Sequence, residues 1–434
     1  MRNVIRLVLF LFILIPYSAY AILSMELTRG TAGAIPIAVV PFAPQDAVPQ
    51  NISGIVSADL RNSGRFKVYA ENELSEFPHD AQEASADYFR HLGTENVVVG
   101  KVEPLGGGRY QVSFQLLDIF EGKNANSVVI SKKYTVSTNE LRAVAHHISD
   151  LIYQQLIGTR GIFSTKIAYV VVQRPAGAPA RYTLEVADQD GYNPRPLLIS
   201  PEPIMSPSWS PNGRQIAYVS FENQHASIYI QDVVTGARRV VSSYPGINGA
   251  PDWSPDGRKL ALVLSKSGSP NIYIMDINSH RLTQVTHDFY INTEPAWSPD
   301  GKSLIFTSDR GGGPQIYQAN ISTGAISRLT YDGSYNARGS YTPDGNHIAM
   351  IHRVSGDYKI AILDLDSGTT HVLTTSSTDS SSPSVAPNGS MVLYDTFAGG
   401  RNVLGMVSSD GSIELVLPAR NGEAQDPAWS PFNS

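Results

Sequence analysis

The pentapeptide Trp209-Ser210-Pro211-Asn212-Gly213 returns as Trp253-Ser254-Pro255-Asp256-Gly257 and as Trp297-Ser298-Pro299-Asp300-Gly301, and it decides the fold. Weaker copies begin at Tyr341 and Val385, and a half-copy begins at Trp429. Every step between copies is 44 residues, without an insertion. A repeat of about 40–50 residues with strand-like content is typical of the blades of a β-propeller.

Each repeat contains the signals of four short strands. In the second copy, the pentapeptide is followed by the apolar run 260–262, by Tyr273, and by Asp276 at the start of a polar turn. Short apolar runs bounded by Pro, Gly and Asp indicate β-strands joined by tight turns. Pro presets φ, Asp bonds to its own backbone, and Gly accepts a positive φ. We therefore expect the pentapeptide to join the first strand of each blade to the second.

The number of blades follows from the two ends of the repeat region. A strand-like set at 167–170, 182–188 and 196–199 has no pentapeptide before it, whereas residues 427–430 have no strands after them. Together these two pieces make one blade, in which the last strand of the chain closes the ring and removes its open edge. With the five complete repeats, residues 159–434 are predicted to form a six-bladed propeller.

An α/β pattern precedes the repeats, over residues 35–158. Strand-like runs occur at 35–42, 66–69, 96–102, 110–118 and 128–136, and residues 52–60, 81–92 and 141–156 have helical spacing. Thr138 is the expected cap of the last helix, and residues 158–161 the expected hinge. The predicted fold class is an α/β amino-terminal domain followed by an all-β six-bladed β-propeller closed by the carboxy-terminal strand.

The first 21 residues have the features of a cleaved signal peptide. Arg2 and Arg6 form a basic start, residues 7–15 are an unbroken apolar run, and Ala19-Tyr20-Ala21 fits a cleavage site. The run is too short to span a bilayer. We expect export, cleavage after Ala21 and a soluble mature protein that begins at Ile22; the alternative is an uncleaved anchor.

Composition argues against several classes of function. The formal net charge is −6, and it becomes −8 when the leader and its two arginines are removed, which disfavours a nucleic-acid or anionic-membrane surface. The chain contains no Cys, so disulfides and thiolate chemistry are excluded. It also lacks a Gly-x-Ser-x-Gly elbow, a His-Glu-x-x-His motif and a phosphate-binding loop. We expect a monomer that is not an enzyme and has no cofactor.

Two stretches resemble metal sites without meeting their requirements. Residues 188–191, Asp-Gln-Asp-Gly, match the start of a calcium loop, but position twelve is not the required Glu. A blade turn is the better interpretation. His146 and His147 are neighbours on the last helix, and adjacent residues do not share a helix face. No metal site is predicted.

Residues 22–34 form a separate amino-terminal segment. Leu23, Met25 and Leu27 alternate with polar residues, which is a strand pattern of period two, and Gly30 and Gly33 then loosen the chain. The segment is either an edge strand of its own domain or a detachable strand that a partner captures by adding it to a sheet.

A ring of variable residues is expected in the turn before the first strand of each blade, which faces the channel mouth because that strand is innermost. The three residues before the repeated Pro differ between blades, and Glu294, Arg338 and Asp426 would place different charges around one rim. A surface that is geometrically repeated but chemically varied suits recognition of an asymmetric partner. The alternative is a solvated rim without a partner.

The motifs together resemble the TolB family of periplasmic proteins of the Tol–Pal system. The resemblance is carried by the pentapeptide repeat, by residues 37–42, by Asn248-Gly249-Ala250-Pro251 and by Asn292-Thr293-Glu294-Pro295. It implies a non-catalytic hub that binds the lipoprotein Pal and the carboxy-terminal domain of TolA, with other outer-membrane lipoproteins as further candidates. It also implies roles in outer-membrane integrity, cell division and colicin import. An accessory propeller of a periplasmic hydrolase or peptidase is the alternative.

The resemblance also suggests which residues would carry these contacts. For Pal they lie on the propeller rim: Met205, Ser206, Asn248, Gly249, Ala250, Asn292, Thr293, Glu294, Ala337, Arg338, Ser381 and Gln425. For TolA they lie in the amino-terminal strand: Ile22, Leu23, Ser24, Met25, Glu26, Leu27 and Thr28.

Overall fold

The computed structural model describes residues 25–26, 33–44, 48–120, 127–418 and 422–432, with the backbone alone at 25–26. The predicted signal peptide, residues 1–21, lies outside these ranges, as do residues 22–24 and 27–32. Within the described ranges, no helix has both the length and the apolar character needed to cross a membrane.

The amino-terminal domain has the predicted order of strands and helices, with ends shifted by a few residues. The elements up to the end of this domain are β1 (Met25–Glu26), β2 (Ile35–Val39), α1 (Ile52–Asn62), β3 (Phe66–Tyr69), α2 (Ala86–Leu92), β4 (Asn96–Gly106), β5 (Arg109–Asp118), β6 (Ser127–Ser137) and α3 (Leu141–Ile157), with 3₁₀ turns at Glu71–Glu73 and Thr138–Glu140. The sheet of the domain has the order β3-β2-β4-β5-β6, in which β2 runs parallel to β3 and β4 and the other pairs are antiparallel.

Helices cover both faces of this sheet. Val56 and Leu60 of α1 and Ile148 and Ile152 of α3 are buried at helical spacing in one cluster, while Phe89 of α2 packs in a second cluster. The domain therefore has a core on each side of its sheet.

The start of α3 differs from the prediction. Glu140 accepts hydrogen bonds from the amide of Ser137 at 2.8 Å and from its hydroxyl at 2.7 Å, whereas the Thr138 hydroxyl donates to the carbonyl of Gly108. The cap is therefore built by Ser137 and Glu140, because Thr138 is used to hold the β4–β5 hairpin. The predicted hinge is anchored as well, since Asp150 accepts hydrogen bonds from the amides of Phe163 and Ser164.

Six antiparallel sheets form the propeller, and each contains four strands from residues 166–429. In chain order the strands are β7 (Lys166–Gln173), β8 (Arg181–Asp188), β9 (Arg195–Ser200), β10 (Ile204–Trp209), β11 (Gln215–Ser220), β12 (Ser227–Asp232), β13 (Arg238–Ser242), β14 (Asn248–Trp253), β15 (Lys259–Leu264), β16 (Asn271–Asp276), β17 (Leu282–Gln284), β18 (Asn292–Trp297), β19 (Ser303–Ser308), β20 (Gln315–Asn320), β21 (Ile326–Arg328), β22 (Asn336–Tyr341), β23 (His347–Val354), β24 (Asp357–Asp364), β25 (Thr370–Val372), β26 (Ser380–Val385), β27 (Met391–Ala398), β28 (Arg401–Ser408), β29 (Glu414–Val416) and β30 (Glu423–Trp429).

The last strand closes the ring, as predicted. The seam blade consists of β30 and β7–β9, with Trp429 opposite Ile167 in the β30–β7 pair. Blades two to six are β10–β13, β14–β17, β18–β21, β22–β25 and β26–β29. The first blade is thus completed by residues from the far end of the chain, which leaves no blade without its innermost strand.

The pentapeptide forms the turn from the first to the second strand, as the repeat predicted. In blade three the Ser254 hydroxyl donates to Asp256 at 2.6 Å and accepts from the amide of Lys259 at 2.9 Å. The amide of Gly257, which has φ +70°, donates to the carbonyl of Ser254. The Ser and Asp side chains replace backbone partners at this turn, and Gly supplies the left-handed conformation.

Three of the repeated tryptophans tie elements together through their indole N–H. Trp253 donates to the carbonyl of Ser208 in the preceding blade at 3.2 Å, and Trp209 donates to Ala428 of the seam blade at 3.1 Å. Trp429 donates to the hydroxyl of Thr165 at 2.8 Å. Trp209 and Trp253 thus join their blades to the preceding one, and Trp429 fixes the last strand to the start of the seam blade.

Candidate functional site

The predicted rim residues lie inside the innermost strands, not in turns before them. β14 begins at Asn248 and β18 at Asn292, so the residues up to the repeated Pro belong to the strand. The prediction was wrong because Pro normally ends a strand. Here Pro is tolerated because the innermost strand has a free edge toward the channel.

Every innermost strand contains the same β-bulge. In blade three the pairing of β14 with β15 shifts between Gly249 and Asp252, and equivalent shifts occur in the other five blades. In each innermost strand, the residue directly before the repeated Pro (before Gly339 in blade five) has a left-handed φ of 45° to 53°: Ser206, Ala250, Glu294, Arg338, Ser382 and Asp426. A bulge redirects a side chain out of the strand pattern. Five of these six, all but Asp426, line a central cavity of about 290 Å³ that residues from all six blades enclose.

The charged members of this ring, one arginine and two carboxylates, contact one another across the channel. Arg338 donates to Asp426 at 3.0 Å and to the hydroxyl of Ser382 at 2.6 Å, and its Nε lies 3.6 Å from Glu294. Burial lowers the pKa of Arg338, but Asp426 and Glu294 outweigh it and the net direction is upward. The expectation of separate charges presented around a rim is therefore corrected: these three side chains form one ion cluster in the channel.

Asn248 and Asn292, the first residues of β14 and β18, are buried parts of the scaffold. Asn248 is 1% exposed and accepts hydrogen bonds from the amide of Tyr244 and the hydroxyl of Ser242. Asn292 is 0% exposed and donates to Asp288 at 2.6 Å. Both side chains shape the loop that enters the innermost strand, so in this state they do not offer a surface to a partner.

The other predicted rim residues have intermediate exposure, with one exception. Ala337 is buried. The half-buried residues near the channel are Met205, Ser206, Gly249, Ala250, Thr293, Ser381 and Gln425.

The exposed part of the mouth consists of apolar loop residues that the sequence analysis missed. Phe289 is 96% exposed and Tyr331 76%, and Ile247, Tyr290 and Ile291 are also exposed. They lie in the loops that lead into β14, β18 and β22, directly before the predicted residues. These residues could have been found in the sequence as large apolar side chains in loops rich in Gly, Asp and Ser. Exposed aromatic residues of this kind are typical anchors of protein interfaces.

An ionic contact holds the most exposed of these loops in place. Arg310 donates to Asp288 at 2.8 Å and to Asn292 at 2.8 Å, and its guanidinium lies 5.8 Å from the ring centre of Tyr290. The loop that presents Phe289 is therefore supported at both ends. A supported loop loses less conformational entropy when a partner binds.

The mouth lies on the face of the propeller away from the amino-terminal domain. That domain packs against the pentapeptide end, where Asn388 donates to the carbonyl of Arg160 at 2.9 Å and Arg160 lies 4.4 Å from the ring centre of Phe432. Ile413, just before β29, packs directly against Gly64. The loops that enter the innermost strands are at the opposite end of those strands, so the domain does not cover them.

The described part of the amino-terminal segment pairs with the propeller. β1 runs antiparallel to β29, with Met25 opposite Leu415 and Glu26 opposite Glu414, and makes blade six five-stranded. These two residues are therefore not an edge strand of their own domain, which was one of the two alternatives. The remaining predicted TolA residues, Ile22, Leu23, Ser24, Leu27 and Thr28, lie outside the described residues.

One group of potential metal ligands lies between the two domains. Asp59, His146 and Asp190 are the three residues, with all ligand atoms within 4.8 Å. The two carboxylates face opposite nitrogens of the His146 ring, and Arg142 already contacts Asp190. Ligand atoms on opposite sides of one ring cannot converge on a single ion, so we do not assign a metal site.

Comparison with protein families gives two matches that together cover most of the chain. Residues 153–433 match the family described as TolB beta propeller domain, and residues 23–125 match the TolB amino-terminal domain. The crystal structure of TolB from Acinetobacter baumannii is similar to this chain with a TM-score of 0.85 and 41% identity. That comparison covers 94% of this chain and 100% of the other.

Curated relatives are similar over a shorter stretch. The Tol-Pal system protein TolB of Coxiella burnetii is 51% identical over 251 residues, which are 57% of this chain and 56% of that protein. The protein of the same name from Legionella pneumophila strain Corby is 49% identical over 241 residues, 55% of each chain. The chain thus spans about half the length of the curated relatives it matches.

Proposed function

The chain belongs to the TolB family of the Tol-Pal system, and on that premise we propose that it is a non-catalytic periplasmic hub for Pal and TolA. The observation that carries the proposal is the exposed apolar mouth on the face that the amino-terminal domain leaves open. Pal would bind there, across the loops of blades three to five and the half-buried residues beside them.

The chemistry of the mouth supports binding better than turnover. Phe289 and Tyr331 offer large apolar surfaces, and Arg338 in the channel behind them is already paired with Glu294 and Asp426. Interfaces of this type draw most of their affinity from a few aromatic anchors surrounded by polar residues. Asn248 and Asn292 act as positioning residues in this proposal, because they hold the loops that carry the anchors.

Isothermal calorimetry with the soluble domain of Pal tests the mouth. Phe289→Ser and Tyr331→Ser are each expected to weaken Pal by at least about tenfold, the effect of losing an interface anchor. Val234→Ser is the matched control, because Val234 is 82% exposed but lies in the β12–β13 turn at the other end of the blade. Equal affinity of all three variants would place the Pal site elsewhere.

TolA would bind the amino-terminal segment, including Met25 and Glu26. The pairing of β1 with the edge strand β29 supports this part, because a strand held only at a sheet edge can be released to another sheet. Deletion of residues 22–33 should abolish TolA binding and leave Pal binding intact. In this proposal Pal favours the docked segment, so saturating Pal should weaken TolA binding in the full protein, and TolA should weaken Pal by the same factor because coupling between two sites is reciprocal.

Two results would contradict this scheme. Undiminished TolA binding by the truncated protein would remove the segment from the TolA site. Release of product from peptide or ester substrates by the purified protein would contradict the non-catalytic part and favour the hydrolase-associated alternative.

A further inference from the structure

A charged contact joins helix α3 to the seam blade, on the face that carries the amino-terminal domain. Arg142 donates through Nε to Asp188 at 2.9 Å and through a second guanidinium nitrogen to Asp190. Lys166 pairs with the other oxygen of Asp188. The Arg142 guanidinium also lies 4.3 Å from the ring centre of Tyr192. The β8–β9 turn is therefore held to α3 mainly by ionic contacts.

His146 lies one helical turn after Arg142 and is 2% exposed. Its Nδ1 is 2.8 Å from Asp59 of α1, and its Nε2 is 3.9 Å from Asp190 of the propeller. Nε2 is buried and has no hydrogen-bond partner among the described residues. One imidazole ring thus lies between a carboxylate of each domain.

The geometry has a direct consequence for the protonation of the ring. A neutral imidazole carries one N–H and one lone pair. In either tautomer, therefore, one lone pair of His146 faces a carboxylate, which is repulsive and forms no hydrogen bond. Only the imidazolium ion can donate toward both Asp59 and Asp190.

The charges around the ring favour the same state. With His146 neutral, the facing groups have one more negative charge than positive charge, and a proton on the ring balances them. Burial lowers the pKa of His146, but the charge and hydrogen bond of Asp59 together with the charge of Asp190 outweigh burial, and the net direction is upward. The groups that face the ring from the packed elements are Asp59 on α1, Arg142 and Ser149 on α3, and Lys166, Asp188 and Asp190 on the seam blade.

Two further groups near the ring do not change this balance. Asp150 turns toward the amides of Phe163 and Ser164, and His147 packs against Tyr134 with ring centres 5.5 Å apart. Burial raises the pKa of Asp59, while the Ser149 hydroxyl donates to Oδ2 of Asp59, the same oxygen that lies 2.8 Å from Nδ1 of His146 and to which a protonated ring would donate.

We propose that His146 is a proton-operated clamp between the two domains, in which the imidazolium ion bridges Asp59 of the amino-terminal domain and Asp190 of the propeller. When the imidazolium ion loses its Nε2 proton, the bond to Asp59 remains and the contact with Asp190 of the propeller is released. The clamp is complete below the ordinary pKa of histidine. It is lost as the pH rises through the raised pKa of the folded protein.

Titration of the His146 ring by NMR in the full chain tests the bridge. Asp190→Asn keeps the shape of the turn and removes one facing charge, so it should lower the His146 pKa by about one pH unit. An unchanged His146 pKa in this variant would show that the propeller does not share the proton and would overturn the proposal.

The domain contact itself is measured by a pair of spin labels. The chain has no Cys, so Lys132→Cys on β6 and Arg258→Cys on the propeller, both exposed, give one defined label pair. The distance distribution should be narrow at pH 6 and broader at pH 9 in the otherwise unchanged chain. His146→Gln should remove this pH dependence, while His371→Gln, at an exposed position, should retain it.

A distribution that does not respond to pH in the unchanged chain would overturn the clamp. If His146→Gln does not fold, Asp190→Asn decides, because residue 190 lies in a surface turn and the substitution is nearly isosteric. Its distribution should be broad already at pH 6, and a narrow one would count against the proposal.

Discussion

Single residues of the channel combine burial with charge in two different ways. Arg338 is paired with carboxylates from two other blades, whereas the carboxylate of Asp252 accepts hydrogen bonds from the amide of Trp297 at 2.8 Å and from the hydroxyl of Ser208. A paired charge stabilises its own ionised form, and a buried charge without a cation prefers to be neutral. Substitutions at the two positions should therefore act in opposite directions.

Replacing Arg338 with Met should destabilise the propeller by about 3 kcal/mol, because Glu294 and Asp426 are left without a cation. Urea unfolding measures the effect, and adding Asp426→Asn to Arg338→Met should recover part of the loss. An unchanged unfolding midpoint in the single variant would show that the ion cluster does not hold the blades together.

Asp252 should make stability depend on pH in a defined window. Burial raises the pKa of Asp252 to about 6, above the roughly 3.9 of an unfolded Asp. The folded protein therefore holds the proton more tightly, and this contribution to stability is lost as pH rises from about 4 to about 6. Asp252→Asn should stabilise the protein above pH 6 by up to about 2 kcal/mol.

Chemical unfolding at pH 4.5 and pH 8 compares this variant with Asp366→Asn at an exposed site. If the free energy of unfolding changes with pH by the same amount in both variants, Asp252 is not the source of the pH dependence.

Among the elements, the first strand of each blade lines the channel, and its bulge redirects one side chain. In blades two and three this strand also ends in a Trp that bonds to the preceding blade. In blade four the equivalent Nε1, that of Trp297, is buried without a partner among the described residues. The chain therefore offers a natural comparison between two equivalent positions.

Trp253→Phe should cost more stability than Trp297→Phe, by about 1 kcal/mol. Both side chains are 7% exposed and lose similar apolar contacts, but only Trp253 gives up a hydrogen bond, to the carbonyl of Ser208. Thermal and urea unfolding of the two variants provide the measurement. Equal losses would mean that the indole bond contributes nothing beyond packing.

For the whole molecule, the decisive contact is the one between the amino-terminal domain and the seam of the propeller. Gly64 follows α1 with φ +70° and packs on Ile413, immediately before the strand that accepts β1. The same surface contains the His146 cluster and the Asn388 bond. Domain packing and the edge of blade six are thus one continuous region.

Gly64→Ala should weaken this domain contact, because a methyl group at residue 64 would overlap Ile413. Gly108→Ala is the control: its φ of +72° imposes the same backbone strain, but its nearest neighbour would be Thr138 at 3.5 Å. We expect Gly64→Ala to lose about 1–3 kcal/mol more than the control, the usual cost of overpacking. Similar unfolding midpoints would show that Ile413 moves aside without cost.

The repeat determined most of the fold from the sequence alone. A spacing of 44 residues, Trp at strand ends and Pro, Asp and Gly in turns are local signals, and each acts within its own blade. Ring closure could also be predicted, because the incomplete blades at the two ends of the repeats can be completed only by pairing with each other. These predictions were accessible because short-range backbone preferences decide them.

Only the tertiary structure decided what the rim residues do. Arg338 contacts Asp426 although 88 positions separate them. Asn248 is buried by the loop that leads into β14, and the repeat spacing does not predict the path of that loop. The exposure of Phe289 and the position of His146 between two carboxylates also depend on which elements pack together. Local sequence specifies backbone conformation, but burial and charge pairing arise only when distant blades and domains share one surface.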